Sequence, residues 1–135
     1  MNKWGKFSGN PKMELLPDGR DMRLLEDFSY QDRSGKVWTV PAGAVVNGAN
    51  VPGIAWSVVG GPWDGPHRNA SVLHDWYCAT RTEPWDNVQL MFFEACMAGG
   101  MSEKKATQWF LMVKTFCPKW EVEESPKVAV EESNK

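Results

Sequence analysis

The sequence predicts an α+β fold, in which an N-terminal antiparallel β-sheet or meander packs against a C-terminal three-helix unit. Two patterns support this class: short apolar segments between turn residues up to residue 46, and apolar residues spaced at three and four from residue 68 onward. A length of 135 residues is that of one domain. Eight tryptophans and 42% hydrophobic residues indicate a folded chain with an aromatic core.

Three segments of the N-terminal part have the composition of short strands. They are MELL, MRLLEDFSY and KVWTV, and the turn-forming stretches PDGRD and QDRSG separate them. Alternation in the third segment places Trp38 and Val40 on one face and Val37 on the other. We therefore expect the DRSG turn to join this strand to FSY as a hairpin that ends at Pro41.

The segment between the predicted sheet and the predicted helices has no regular apolar pattern. AGAVVNGANVPG, residues 42 to 53, combines small residues with two asparagines close to glycines, which predicts a loop of defined shape. IAWSVV, residues 54 to 59, predicts one or two buried helical turns. GGPWDGPH then interrupts regular structure before the first long helix.

Three helices are predicted in the C-terminal half. The first spans residues 68 to 80, with Asn69 available as a cap. The second follows a cap at Thr82 and ends at Gly99, and the third runs from near Ser102 to about Phe116. The side chains expected to face the core are Val72, Leu73, Trp76 and Ala79 in the first helix, Trp85, Val88, Phe92, Ala95 and Cys96 in the second, and Ala106, Trp109, Phe110 and Val113 in the third.

The charged residues exclude some partners and define a tail. A net charge of −2 and a pI of about 5.7 predict no nucleic-acid binding through phosphate neutralisation. We expect no membrane span, and because MNKWGKFSGN lacks an apolar run we expect no secretory signal and a cytoplasmic location.

Residues 121 to 135 contain five glutamates against two lysines. We therefore expect one globular domain over residues 1–121 and an acidic, disordered tail over residues 122–135.

The first predicted helix carries two adjacent polar residues, His74 and Asp75. Ser71 and Cys78 share the face of His74, whereas Asp75 lies about 100° further round the helix. In one interpretation His74 is a general base that activates water, and Asp75 orients that water or holds a cation. In the other, Asp75 binds backbone amides of the NGAN loop and His74 fills a partly buried notch. A cleft at His74 would favour catalysis, and a sealed imidazole would favour structure.

Residues outside this helix are expected to meet the pair. The second helix folds back antiparallel, which places Gln89 or Leu90 level with His74, and Gln89 is the better-placed partner. Asn47 and Asn50 in the facing loop are expected to approach the pair and to hold a substrate or an oxyanion.

The three cysteines indicate reduced thiols, because their number is odd and they lie in or beside predicted helices. Cys78 lies near the C-terminal end of its helix, where the helix dipole raises a thiol pKa, so we do not expect it to be a nucleophile. Cys78, Cys96 and Cys117 have no CxxC or HxxxH spacing. We therefore expect them to pack as small apolar groups and to bind no metal, and we expect no other cofactor.

Several motifs together resemble a family of small, mostly phage- and prophage-encoded proteins that is grouped as a domain of unknown function. The matching motifs include WTVPAG, NGANVPGIAW, GGPWDG, ASVLHDWYC and FFEACMAGG. The family pattern has Ser where Asn50 stands and often a second His at the position of Gln89. The resemblance implies a phage-type protein in the host cytoplasm or the virion, and it implies no particular activity.

The His74–Asp75 pair also resembles the H-D-x-x-Y helix of the secreted A-two class of phospholipases, which faces an Asp on an antiparallel helix. Cys78 stands at the Tyr position here, with Tyr77 one place earlier, and the disulfide scaffold is absent. This resemblance implies a mechanism by analogy only.

The leading hypothesis is a small phage-type hydrolase in which His74 and Asp75 activate water for an unidentified substrate. The residues expected to bind that substrate are Asn47, Gly48, Asn50, Tyr77 and Gln89. The alternative is a non-catalytic virion or assembly component, in which the pair is structural and the acidic tail docks on a phage structural protein.

Overall fold

The computed structural model describes residues 3–19, 21–47 and 65–122. These residues form two small antiparallel sheets followed by three helices, so the predicted α+β class is confirmed. The predicted helical turns at residues 54 to 59 and the predicted tail beyond Val122 lie outside the described residues. Within the described ranges, every helix is too short or too polar to cross a membrane.

The first sheet contains the predicted hairpin. Its strand order is β1 (Lys6–Phe7), β4 (Phe28–Gln31) and β5 (Val37–Val40). Tyr30 pairs with Trp38 across the hairpin, and Trp38 and Val40 are buried as the alternation predicts. The carboxylate of Asp32 organises the turn, since it accepts hydrogen bonds from the backbone amides of Ser34 and Lys36 and from the indole of Trp38. The hairpin prediction is therefore confirmed.

The second sheet differs from the prediction. Its strand order is β2 (Met13–Leu15), β3 (Met22–Leu24) and β6 (Val45–Val46). The segment MRLLEDFSY therefore divides between the two sheets, with a bend between β3 and β4. At this bend the Asp27 carboxylate accepts a hydrogen bond from the Ala42 amide at 2.8 Å. Val45 and Val46, expected in a loop, pair with β3. Strands of two or three residues are too short to show an alternation, so their pairing depends on long-range contacts.

The helices begin and end close to the predicted residues. They are α1 (Arg68–Thr80), α2 (Trp85–Ala98) and α3 (Glu103–Phe116), and a one-turn 3₁₀ helix, Gly65–His67, precedes them. Ser102 caps α3 by accepting a hydrogen bond from the Lys105 amide, and Gly99 ends α2. The predicted caps at Asn69 and Thr82 are wrong. The N-cap residues of α1 and α2 are His67 and Pro84, and neither provides a side-chain cap.

The buried face of α1 is broader than its apolar stripe predicts. Trp76 is only half-buried and Ala79 is exposed, whereas His74, Asp75 and Cys78 are buried. The reason is that α1 packs against α2 on one side and against β5 and β6 on another. A helix covered on several sides buries polar positions as well, so its apolar period no longer identifies the core face.

Candidate functional site

His74 and Asp75 lie in the middle of α1, and both are buried, with exposed fractions of 2% and 6%. Successive residues of an α-helix point about 100° apart, so the two side chains contact different elements. His74 contacts α2, and Asp75 contacts the end of β6. The pair is therefore a junction between the helices and the second sheet.

His74 meets Gln89 as the antiparallel helix pair predicts. The distance from Nε2 of His74 to Oε1 of Gln89 is 2.8 Å, and Gln89 is almost completely buried. With the amide oxygen in this orientation, Nε2 is the donor of this bond, and Nδ1 is the ring nitrogen left for another partner. The ring of Phe92 lies 4.9 Å from the imidazole, centroid to centroid. The predicted proximity of the two residues is confirmed.

Asp75 contacts the predicted loop at Asn47. Its Oδ2 accepts a hydrogen bond from the backbone amide of Asn47 at 2.9 Å. The contact uses the Asn47 main chain, and this is the amide-binding role that the structural interpretation gave to Asp75. Gly48 and Asn50 lie outside the described residues.

Tyr77 links α1 to the first sheet. Its hydroxyl accepts a hydrogen bond from the Thr39 amide at 2.9 Å and donates one to the Thr39 carbonyl at 3.0 Å. Its ring packs edge-on against Trp38, with centroids 5.0 Å apart. Burial raises the pKa of Tyr77, so the hydroxyl stays neutral. These contacts place Tyr77 between helix and strand.

A thiol pair lies beside His74, and sequence reasoning missed it. The sulfurs of Cys78 and Cys117 are 3.1 Å apart, and Cys78 Sγ lies 3.5 Å from Nε2 and 3.7 Å from Nδ1 of His74. Gln89 donates from Nε2 to Cys117 Sγ at 3.7 Å. All three cysteines are free, and Cys96 is buried separately from this pair. The three cysteines are buried in the hydrophobic core as expected, but that expectation did not include the contact between Cys78 and Cys117.

The available signal for this pair was the spacing of His74 and Cys78, four residues apart on one helix. Cys117 could not be added from spacing alone, because it follows α3 and reaches α1 only through helix packing. The hydrogen bond from Cys78 lowers the pKa of Cys117, and the same bond together with burial raises the pKa of Cys78. Negative charge in this pair is therefore favoured on Cys117.

The described surface also contains an open cleft of about 400 Å³ between the β4–β5 turn and α2. Its walls include Asp32, Arg33, Lys36, Leu90 and Glu94, and they include neither His74 nor Asp75. Burial raises the pKa of Glu94. The cleft and the His74–Asp75 pair are therefore separate features of the molecule.

The fold and this site define an α+β protein whose polar buried side chains are collected around one central helix. The chain belongs to a family described as proteins of unknown function (DUF1353), whose pattern matches residues 22–113. The match runs from β3 to the last turn of α3, so it includes the His74–Asp75 pair and Gln89 but ends before Cys117.

Two curated relatives come from Sinorhizobium fredii (strain NBRC 101917 / NGR234). The uncharacterized protein y4jT is 35% identical over 122 residues, which cover 89% of this chain and 36% of that protein. The uncharacterized protein y4iH is 31% identical over 115 residues, which cover 84% of this chain and 48% of that protein. The chain thus spans less than half the length of these two relatives. No solved structure matches it significantly.

Proposed function

We propose that this chain is a non-catalytic assembly protein in which the His74–Asp75 pair serves the fold. The supporting observation is the sealed imidazole: His74 is 2% exposed and its Nε2 contacts Gln89. A general base must reach both a water and the substrate, and a buried, hydrogen-bonded imidazole in a helix junction does neither. Asp75 in turn holds the backbone of Asn47.

The partner in this proposal is a phage structural protein with a basic surface. Residues 121 to 135 carry five glutamates and two lysines, so the tail complements a positively charged patch. The protein would then be made in the host cytoplasm and end in the virion, as the family resemblance implies.

The test compares particles assembled with the tagged full-length chain and with a chain ending at Glu121. Mass spectrometry of purified particles should find the full-length chain and at least about tenfold less of the truncated one, since long-range charge attraction is removed. A scrambled tail of unchanged composition serves as the control and should be incorporated nearly as well. Equal incorporation of the truncated chain would contradict the tail as the docking segment.

A hydrolase remains the second candidate, and one geometric observation favours it. Gln89 at Nε2 leaves Nδ1 of His74 as the nitrogen that could accept a proton, and Asp75 accepts a hydrogen bond from the Asn47 amide. In this candidate the substrate contacts would come from Asn47, Gly48, Asn50, Tyr77 and Gln89.

A hydrolase screen with lipid, peptidoglycan and nucleotide substrates separates the two candidates. The assembly proposal expects the same background rate from the wild type and His74→Ala. A turnover that His74→Ala lowers by about 10²-fold or more, with the fold retained by circular dichroism, would establish the hydrolase instead.

A further inference from the structure

The buried groups around His74 have the composition of a metal site. His74, Cys78 and Cys117 each offer one ligand atom, and these atoms lie within 4.8 Å of one another. All three side chains are at least nine-tenths buried. We propose that His74 Nδ1 and the sulfurs of Cys78 and Cys117 bind one zinc ion. The proposal concerns this thiol cluster and does not depend on the assembly role.

The distances are close to those of a tetrahedral zinc centre. Zinc bonds of about 2.0–2.1 Å to nitrogen and 2.3 Å to sulfur imply separations of about 3.5 Å between nitrogen and sulfur and about 3.8 Å between two sulfurs. Cys78 Sγ lies 3.7 Å from Nδ1 of His74, and the two sulfurs are 3.1 Å apart. A side-chain rotation that separates the sulfurs by about 0.7 Å brings them to the tetrahedral distance, and the ligand atoms of all three residues already lie within 4.8 Å of one another.

Gln89 forms hydrogen bonds with two of the three proposed ligands, His74 and Cys117. Its Oε1 accepts from Nε2 of His74, which leaves the lone pair of Nδ1 available for the metal. Its Nε2 donates to Cys117 Sγ. Zinc-bound histidines usually donate their second ring N–H to an oxygen acceptor, and this bond fixes the ring. Gln89 is therefore a positioning residue for the metal.

Charge balance also favours zinc at this place. A dication with two thiolates and a neutral imidazole is neutral overall, so burying the complex avoids the large penalty of burying a single charge. Three protein ligands leave one position for a water molecule. Because zinc binds both sulfurs as thiolates, loading releases to solvent the thiol protons that the pair still carries.

Cobalt titration of the full-length chain tests the proposal. The chain is stripped with a chelator, kept reduced, and titrated with Co²⁺. We expect one equivalent to bind, with thiolate-to-cobalt charge-transfer absorption that zinc then abolishes. Gln89→Ala should weaken binding about 10–100-fold, as expected for an outer-sphere partner. X-ray absorption of the zinc-loaded wild type should show two sulfur neighbours.

Cys96→Ser is the matched control, because Cys96 is equally buried and lies outside the cluster. It should keep the cobalt bands, whereas Cys78→Ser and Cys117→Ser should lose them while circular dichroism reports the fold. Wild-type protein without the bands, or bands that persist in Cys117→Ser, would overturn the proposal. If a serine variant does not fold, the sulfur count in the wild-type X-ray spectrum decides. Thiols that form a disulfide in air and bind no cobalt after reduction would also overturn it.

Discussion

At the scale of single residues, Gln89 has the most specific role in the described part of the chain. The side chain of Gln89 accepts a hydrogen bond from His74 through its oxygen and donates one to Cys117 through its nitrogen. It therefore joins α1 to the residue that follows α3. A buried amide with both ends engaged has no apolar replacement that preserves these bonds.

Gln89→Leu should therefore lower the free energy of unfolding by about 1–3 kcal/mol, because the imidazole N–H is left buried without its acceptor. Urea unfolding followed by tryptophan fluorescence measures the change. Asn87→Leu, on the exposed side of the same helix, is the control and should change stability by less than about 0.5 kcal/mol. Equal effects of the two substitutions would contradict a role for the Gln89 amide.

Asp75→Ala should cost about 1–3 kcal/mol as well, since the Asn47 amide loses its carboxylate acceptor. Asp75→Asn keeps an acceptor oxygen in the same position and should recover a large part of this loss. Thermal melting of the two variants beside the wild type gives the comparison. An unchanged melting temperature in Asp75→Ala would mean that the contact carries no stability.

At the scale of elements, the helix bounds could be predicted because glycine, proline and a serine cap punctuate a three-to-four spacing. The buried face of α1 could not be predicted, because a helix covered on several sides buries His74 and Asp75 together with its leucine and valine. The partnership of Cys78 with Cys117 depends on how three helices pack, and no local pattern encodes that. The position of Gln89 opposite His74 could be counted, because a short connection sets the register of an antiparallel pair.

The hydrogen bonds between Tyr77 on α1 and the Thr39 backbone on β5 predict that the domain loses stability at alkaline pH. The folded state raises the pKa of Tyr77, so this contribution is complete below the unfolded value of about 10 and falls as the pH rises through the folded value. Tyr77→Phe should be less stable by about 1–2 kcal/mol at neutral pH, because the Thr39 backbone loses both bonds. The difference should shrink above about pH 10. Urea unfolding at several pH values would contradict this if the difference stayed constant.

At the scale of the whole molecule, the last described residues contact the connection between α1 and α2. The indole of Trp120 donates to the Glu83 carbonyl at 2.9 Å, and Arg81 lies over its ring. Trp120 is half-buried against the core. This contact fastens Trp120 to the α1–α2 connection, and the domain boundary at about residue 121 stays a prediction.

Removal of residues 122–135 should leave the melting temperature within about 2 °C of the wild type, a shift of a few tenths of a kcal/mol. Removal of residues 120–135 should lower it further, since Trp120 and its hydrogen bond are lost. Calorimetry on the two truncated chains measures both values. Equal melting temperatures would show that Trp120 does not anchor the chain end.

The position of α1 between α2 and strands β5 and β6 also has a consequence for hydrogen exchange. Eight of its 13 residues are buried, so the amides of these eight residues are shielded from solvent. They should exchange only when the whole domain opens, and their exchange should report the global free energy of unfolding. The exposed turns of α3 should exchange through smaller openings, so α1 can act as an internal reference for the stability of every other element.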